Sequence, residues 1–237
     1  MTGSEIAEVL DLPLSTVSLW LKRIGLGKRS RLEPLEPPNR YERRHPGELV
    51  HVDIKKLARI SARGAGHRVT GTRRSQYQLR TSGRKFSETG YEYLHVIIDD
   101  HSRLAYAELL DDLTAACAIG FLRRALAWYA ERGVQVQAVM SDNGSCYTAH
   151  SYAAALRQLK LKHLRIRPYR PRTNGKAERL IQTLLNEWAY ARIYGSTQER
   201  AEALTAYLDR YNYRRRHGSL SHQPPASRLN NLVRNYI

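Results

Sequence analysis

The sequence is poor in several things, and each shortage excludes something. Cysteine occurs only twice in 237 residues, as Cys117 and Cys146, with no CxxC pair; the nine histidines are scattered, with no HxxxH. A disulfide framework and a structural zinc site are therefore not expected. Both cysteines read as reduced thiols; Cys146 lies four residues after Asp142 without an evident base, so packing is its expected role. No apolar run approaches the ~18 residues a membrane span needs, and no basic-then-apolar leader opens the chain. No membrane partner is expected, and the setting reads as cytoplasmic. Acids are scarce too: 22 against 39 lysines and arginines, a net charge of +17. Such an excess points to a polyanion, most simply nucleic acid, with a merely basic protein or one bound to anionic lipid as the alternatives.

The chain is long enough for one large domain with an appendage. Residues 1–27 read as a small helical pair. Ser4 is placed to cap a first helix carrying Ile6, Ala7, Val9 and Leu10. Asp11-Leu12-Pro13 breaks it, and Ser15 is placed to cap a second helix with Val17, Leu19, Trp20, Leu21 and Ile24, closed at Gly25 or Gly27. Ala7, the turn at Asp11 and Val17 have the spacing of a helix-turn-helix, in which a small residue lets two helices approach. The turn position usually holds glycine; aspartate enters the left-handed conformation less readily, but it does enter it. On this reading Ser15, Thr16, Ser18 and Lys22 face the DNA major groove. An ordinary helical hairpin is the plainer alternative. Such a motif normally carries a third helix in front, for which Met1 leaves little room, so it reads as truncated at its N-terminus.

Residues 28–48 form a basic linker punctuated by Pro34, Pro37, Pro38 and Pro46. From Leu49 the pattern turns to strands and helices. Strands are expected at about 49–54, 92–98, 103–109, 134–140 and 162–165; helices at about 113–132, 149–160, 172–192 and 197–213. Residues 55–90 read as a polar insertion, with ten basic residues against the single acid Glu88, and as an arm that contacts phosphates. The order β-β-β-α-β-α-β-α-α describes a mixed five-stranded α/β sheet flanked by helices, as in ribonuclease H-like folds, over residues 49–230.

Three carboxylates stand out. Asp53 ends the apolar Leu49-Val50-His51-Val52. Asp142 follows the strand ending in Met140-Ser141 and opens into Asn143-Gly144. Glu178 comes after 35 intervening residues, within Asn174-Gly175-Lys176-Ala177-Glu178-Arg179. Two acids at strand ends and one on a helix suit hard divalent cations held by oxygen ligands. Asp99 and Asp100 are read as turn residues, remote from Asp53 and Asp142. Glu187, nine residues past Glu178 and so on the opposite helix face, is read as structural. Residues 157–179 hold nine lysines and arginines against one acid. Among them Arg170, Arg172, Lys176 and Arg179 are expected to clamp phosphates, with Asn143 and Asn174 as weaker candidates for positioning one; a solvated basic face is the alternative.

This constellation resembles the integrase catalytic core, and most of all that of bacterial insertion-sequence transposases with a DD(35)E triad. The tail Tyr211-Asn212-Tyr213-Arg214-Arg215-Arg216-His217-Gly218-Ser219-Leu220, followed by Pro224-Pro225, resembles the end of those cores. One departure is Arg216, where the family often has proline before the histidine. The resemblance implies a polynucleotidyl transferase that binds insertion-sequence ends, cleaves a strand, and joins the exposed 3′-hydroxyl to target DNA. It implies two Mg2+ ions, with Mn2+ as a substitute, Asp53 bridging both, Asp142 on one and Glu178 on the other. It further implies double-stranded DNA as partner at both element ends and target, a homo-oligomer, and a bacterial, nucleoid-associated setting.

Two other readings compete with it. One is an inactive, truncated relative that only binds DNA or inhibits its full-length counterpart, motivated by the missing first helix. The other is a plain ribonuclease H or resolvase-like nuclease, which would lack both the 35-residue gap and the basic helix-turn-helix.

Overall fold

The computed structural model describes residues 2–26, 42–60, 90–166 and 174–229. The chain divides into two compact units, Met1–Tyr41 and Glu42–Ile237.

In the first unit, α1 (Gly3–Val9) and α2 (Leu14–Arg23) pack together through Ala7 and Val17, the two residues that are buried. Asp11 adopts a φ of 48°, so the turn is made by an aspartate in the left-handed region. The caps differ from expectation. Thr2, not Ser4, caps α1: its hydroxyl accepts from the Glu5 N–H at 3.3 Å while the Glu5 carboxylate accepts from the Thr2 N–H at 2.6 Å. The second helix starts at Leu14 behind Pro13, without a side-chain cap, so Ser15 lies inside the first turn.

The second unit is built on five strands: β1 (Val50–Ala58), β2 (Tyr91–Asp99), β3 (Ala105–Leu110), β4 (Ala138–Ser141) and β5 (Lys162–Arg165). Their order across the sheet is β3-β2-β1-β4-β5. The β1–β2 and β2–β3 pairs are antiparallel; β1–β4 and β4–β5 are parallel. The helices are α3 (Ala115–Glu131), the single turn α4 (Ser145–Thr148), α5 (His150–Gln158), α6 (Gly175–Leu184) and α7 (Thr197–Tyr213). This is the expected mixed sheet with helices on both faces. Strand alternation splits the core in two. Leu94, Val96 and Ile98 pack with Leu57, α6 and α7. Val50, Val52, Ile97 and Val139 pack with α3, α4 and α5.

Several boundaries shift for identifiable reasons. The first strand runs on to Ala58, so Asp53 sits within it and residues 55–58 belong to the sheet, not to the insertion. Leu57 is buried there, and Lys56 lies over the Tyr91 ring at 3.8 Å, which lets a basic stretch remain in a strand. Of the expected insertion, residues 61–89 lie outside the described residues. The fourth strand is shorter than expected because the Gln137 N–H donates to the carbonyl of Gly47, in a loop. The expected 149–160 helix is α5 (His150–Gln158); the single turn α4 precedes it, and Ala149, in extended angles, separates the two. The next helix starts at Gly175, relaxes into a wider π-type turn at Leu185–Ala189 and ends there, short of 192.

Candidate active site

Alternation along β1 decides which side chains reach the site. Val50 and Val52 enter the α3–α5 core and Leu57 the opposite one, so His51, Asp53 and Lys55 face α6. Val50 pairs with Val139 and His51 with Met140; carried on three residues, that register sets Asp142 opposite Asp53. Asp142 is the first residue beyond β4. Its Oδ1 accepts from the Gly144 N–H at 2.9 Å, and a Cβ on Gly144 would stand 3.0 Å from the same oxygen. Glycine thus allows the loop to close on the carboxylate. The Asn143 side chain donates to the Ile166 carbonyl at 3.1 Å, and Ser141 Oγ lies 2.9 Å from His163 Nε2.

Glu178 is exposed in the first turn of α6. It lines a groove of about 620 Å3 together with Asp53, Lys55, Gly175, Arg179 and Gln182. The Asp53 Oδ1 accepts from the Ile54 N–H at 2.7 Å. Its carboxyl is nevertheless pushed up to about 6: burial contributes most, and the Asp142 and Glu178 carboxylates add to it. Asp142 and Glu178 therefore each lie within electrostatic reach of Asp53. Among the described residues no group of three acids, histidines or cysteines is placed closely enough to hold a metal ion as it stands. The Cys146 thiol is buried and pushed up to about 11, chiefly by desolvation and then by Asp142, so it stays protonated, as its packing role requires.

Behind the groove lies a polar network. His51 is fully buried, with Nε2 2.8 Å from Asp100 Oδ1 and Nδ1 3.3 Å from Asn174 Oδ1. Asn174, also buried, donates to the Val52 carbonyl at 3.2 Å. Asp100 further accepts from the Arg43 N–H at 2.7 Å and from the Lys176 ammonium. Burial alone would raise the Asp100 carboxyl, but His51, Lys176 and the Arg43 N–H more than offset it and hold it well below the usual carboxylate range. The network pins the start of α6, just ahead of Glu178, to the middle of β1, just behind Asp53.

These contacts change the reading of several residues. Asp99 ends β2 and Asp100 opens the turn after it, but neither faces solvent. Both are fully buried, and Asp99 receives the Gly47 N–H and both donors of Ser102, each at 2.7 Å. Lys176 and Asn174, read as phosphate contacts, have side chains committed to Asp100 and to β1. Arg179 remains exposed, with Nη1 3.1 Å from the Gln182 side-chain oxygen. Ser15, Ser18 and Lys22 are exposed on α2 and Thr16 is half-buried. Arg170 and Arg172 lie outside the described residues. Glu187 forms a two-pronged ion pair with Arg215 and accepts from the Tyr207 hydroxyl at 3.0 Å. His51 is the residue that sequence reasoning missed; the signal was its position two before Asp53, hence on the same strand face.

Residues 43–171 match the integrase core domain family, and residues 159–225 match a second integrase core domain family. A putative integrase of a Spiroplasma virus is 26% identical over 161 residues, covering 62% of this chain and 44% of that protein. An uncharacterised Caenorhabditis elegans protein is 28% identical over 134 residues, covering 56% of this chain and 10% of that one. The chain thus spans less than half the length of either. Among solved structures, a chain of a simian T-cell lymphotropic virus intasome, determined with a PP2A regulatory subunit, superposes with a TM-score of 0.58. Its identity is 17%, over 97% of this chain and 74% of that one. The catalytic core of HTLV-2 integrase in complex with magnesium, in a trimeric form, superposes with a TM-score of 0.52 at 14% identity, over 78% of this chain and 97% of that one. Those two likenesses are of fold. With the five-stranded sheet and the family match over more than half its length, the chain belongs to the integrase core domain family, the transposase- and integrase-like proteins.

Proposed function

We propose that this protein is a DNA transposase that binds the ends of an insertion element, cleaves a strand there and joins it to target DNA. The observation that carries the reading is the Asp53 carboxyl, pushed up to about 6 by burial and by two further acids from different elements. Carboxylates gathered against their own repulsion are a mark of a functional site. Their donor set, three hard oxygen ligands beside a groove, fits divalent metal ions such as Mg2+ or Mn2+, with Asp53, Asp142 and Glu178 as the residues that would hold them. When bound, such ions supply activation of an oxygen nucleophile and neutralisation of the leaving oxygen.

The chain's own residues do the rest. Lys55 and Arg179 line the groove and attract a backbone phosphate. The His51–Asp100–Asn174 network keeps Glu178 in place relative to Asp53. The α1–α2 unit presents Ser15, Thr16, Ser18 and Lys22 to DNA. Because two element ends must be brought together, the working form is a homo-oligomer. Among the described residues no helix is long and apolar enough to cross a membrane.

The direct test uses labelled DNA carrying the inverted repeats that flank the gene. Metal-dependent nicking at the repeat and a joined product are expected. Binding without any product would reduce the protein to a DNA-binding relative of active transposases.

A further inference from the structure

Across the first turns of α6 from the Asp53–Glu178 groove lies a second cavity, of about 500 Å3. Its walls are α6, the turn between β2 and β3, and the tail that follows α7. Five cationic side chains line it: Arg103, Lys176, Arg179, Arg215 and Arg216; no carboxylate is among its described lining residues. Some of that charge is already spent. Lys176 serves Asp100, Arg215 serves Glu187, and one amino group of Arg103 serves Glu42 at 2.9 Å. The remainder is not. Arg179 and Arg216 make no ion pair among the described residues. Arg103 Nη1 and His217 Nε2 are buried without a hydrogen-bond partner among the described residues. His217 is held down to about 4, by burial first and then by Arg215, so its ring is neutral at physiological pH and the cavity's charge comes from the guanidinium groups.

A buried guanidinium donor with no acceptor is costly unless something supplies one. Guanidinium groups around a concave site, with a helix N-terminus beside them, favour an oxyanion. The cavity shares Gly175 and Arg179 with the groove that holds Asp53 and Glu178. One polyanionic strand can therefore reach both.

We infer that this cavity is a phosphate subsite: it takes a DNA backbone phosphate of the same strand whose scissile phosphate lies at Asp53 and Glu178. The inference rests on reading that groove as the site of phosphodiester chemistry. It also gives a role to Arg216, an exposed cation that lines the cavity.

The test is a substitution paired with a change in the DNA. Each backbone phosphate of an element-end duplex is replaced in turn by a neutral methylphosphonate, and binding to the full chain is followed by fluorescence anisotropy. For the wild type, one position other than the cleaved one should weaken binding by about 5–20-fold. Arg216→Gln should weaken binding to unmodified DNA by a similar factor and reduce the salt dependence by about one phosphate contact. At that one position the variant should be indifferent to the methylphosphonate. Arg179→Gln serves as the second variant and should show the same pairing.

Two results would overturn the subsite: variant and methylphosphonate losses that multiply at every position, or Arg216→Gln binding as wild type does. Inorganic phosphate separates the sources of the anion. Unlabelled DNA should abolish the Arg216-dependent signal while millimolar phosphate dents it only slightly; saturation by free phosphate with DNA binding untouched would make it a small-anion site and refute the assignment. The same DNA set is scored for cleavage. Pairing without cleavage in any protein sinks the catalytic reading and leaves the subsite standing; cleavage without pairing sinks the subsite alone.

Discussion

Replacing Asp53 by asparagine should make the metal-free protein more stable at neutral pH while it removes activity. The carboxyl has an ordinary value of 3.8 and is held at about 6 in the folded protein. The native state therefore keeps a proton that the unfolded chain gives up between these two values. Where the native state binds more protons than the unfolded state, stability falls as pH rises. The loss starts near pH 4 and is complete above about pH 6. At about 1.4 kcal/mol for each tenfold change in acid dissociation, the full penalty is about 3 kcal/mol. Residual exposure of the side chain to solvent makes that an upper figure, with about 1.5 kcal/mol as a floor. Asparagine keeps the oxygen that accepts from the Ile54 N–H and carries no charge. The advantage of Asp53→Asn over wild type should thus grow from about 0.5 kcal/mol at pH 4 to about 1.5–3 kcal/mol at pH 7.5. In thermal melts in EDTA, the neutral-pH gap corresponds to roughly 3–12 °C for a unit of this size. Adding Mg2+ at ten times its dissociation constant should raise wild-type stability by about 1.4 kcal/mol and narrow the gap. A gap that is absent, reversed or independent of pH would refute the claim that burial, with Asp142 and Glu178 adding to it, holds the Asp53 carboxyl above its ordinary value.

Other perturbations follow from the same contacts. Asp100→Asn removes the charge that Lys176 and His51 face in the interior; it should cost about 2–4 kcal/mol in urea denaturation and lower turnover more than DNA affinity. In the wild type the Asp100 carboxyl is depressed in the folded state, so its contribution is complete above its ordinary value of 3.8 and is lost as pH falls below it; wild type should lose stability more steeply than Asp100→Asn on acidification below about pH 4. His51→Ala should lower cleavage about 10–100-fold with DNA binding nearly unchanged, as loss of a supporting shell does, and an equal fall in binding would count against a positioning role. Gly47 has a φ of +86°, and a Cβ there would stand 2.2 Å from the Gln135 carbonyl oxygen; Gly47→Ala should cost roughly 2–4 kcal/mol by denaturation, since both backbone strain and overlap oppose it.

Much of the fold was legible because it is written locally. The alternation of Leu94, Val96 and Ile98 marks one strand, and polar Ser141-Asp142-Asn143-Gly144 marks the end of another. The three acids could be singled out because each stands in a distinctive short context. What lay outside local patterns was lost. Lys55 and Lys56 look like loop residues, yet they extend β1 because Leu94 and Tyr93 pair with them across the sheet and the Tyr91 ring receives the Lys56 ammonium. Lys176 looks like a phosphate ligand until Asp100, 76 residues away, is found beneath it. Asp100 does stand in a turn, as it reads, but nothing nearby in the chain announces that it is buried and that His51 and Arg43 converge on it. Long-range partners decide whether a charged side chain faces inward or outward, and periodicity does not record them.

The central claim is that Asp53, Asp142 and Glu178 act together as one catalytic unit on DNA. The measurement closest to it compares wild type with Glu178→Gln and Asp142→Asn for strand cleavage and joining in Mg2+, with binding to the same labelled DNA recorded alongside. Both variants should lose product by several orders of magnitude while their affinity for DNA stays within a few-fold of wild type. Cleavage retained in either variant would contradict the account.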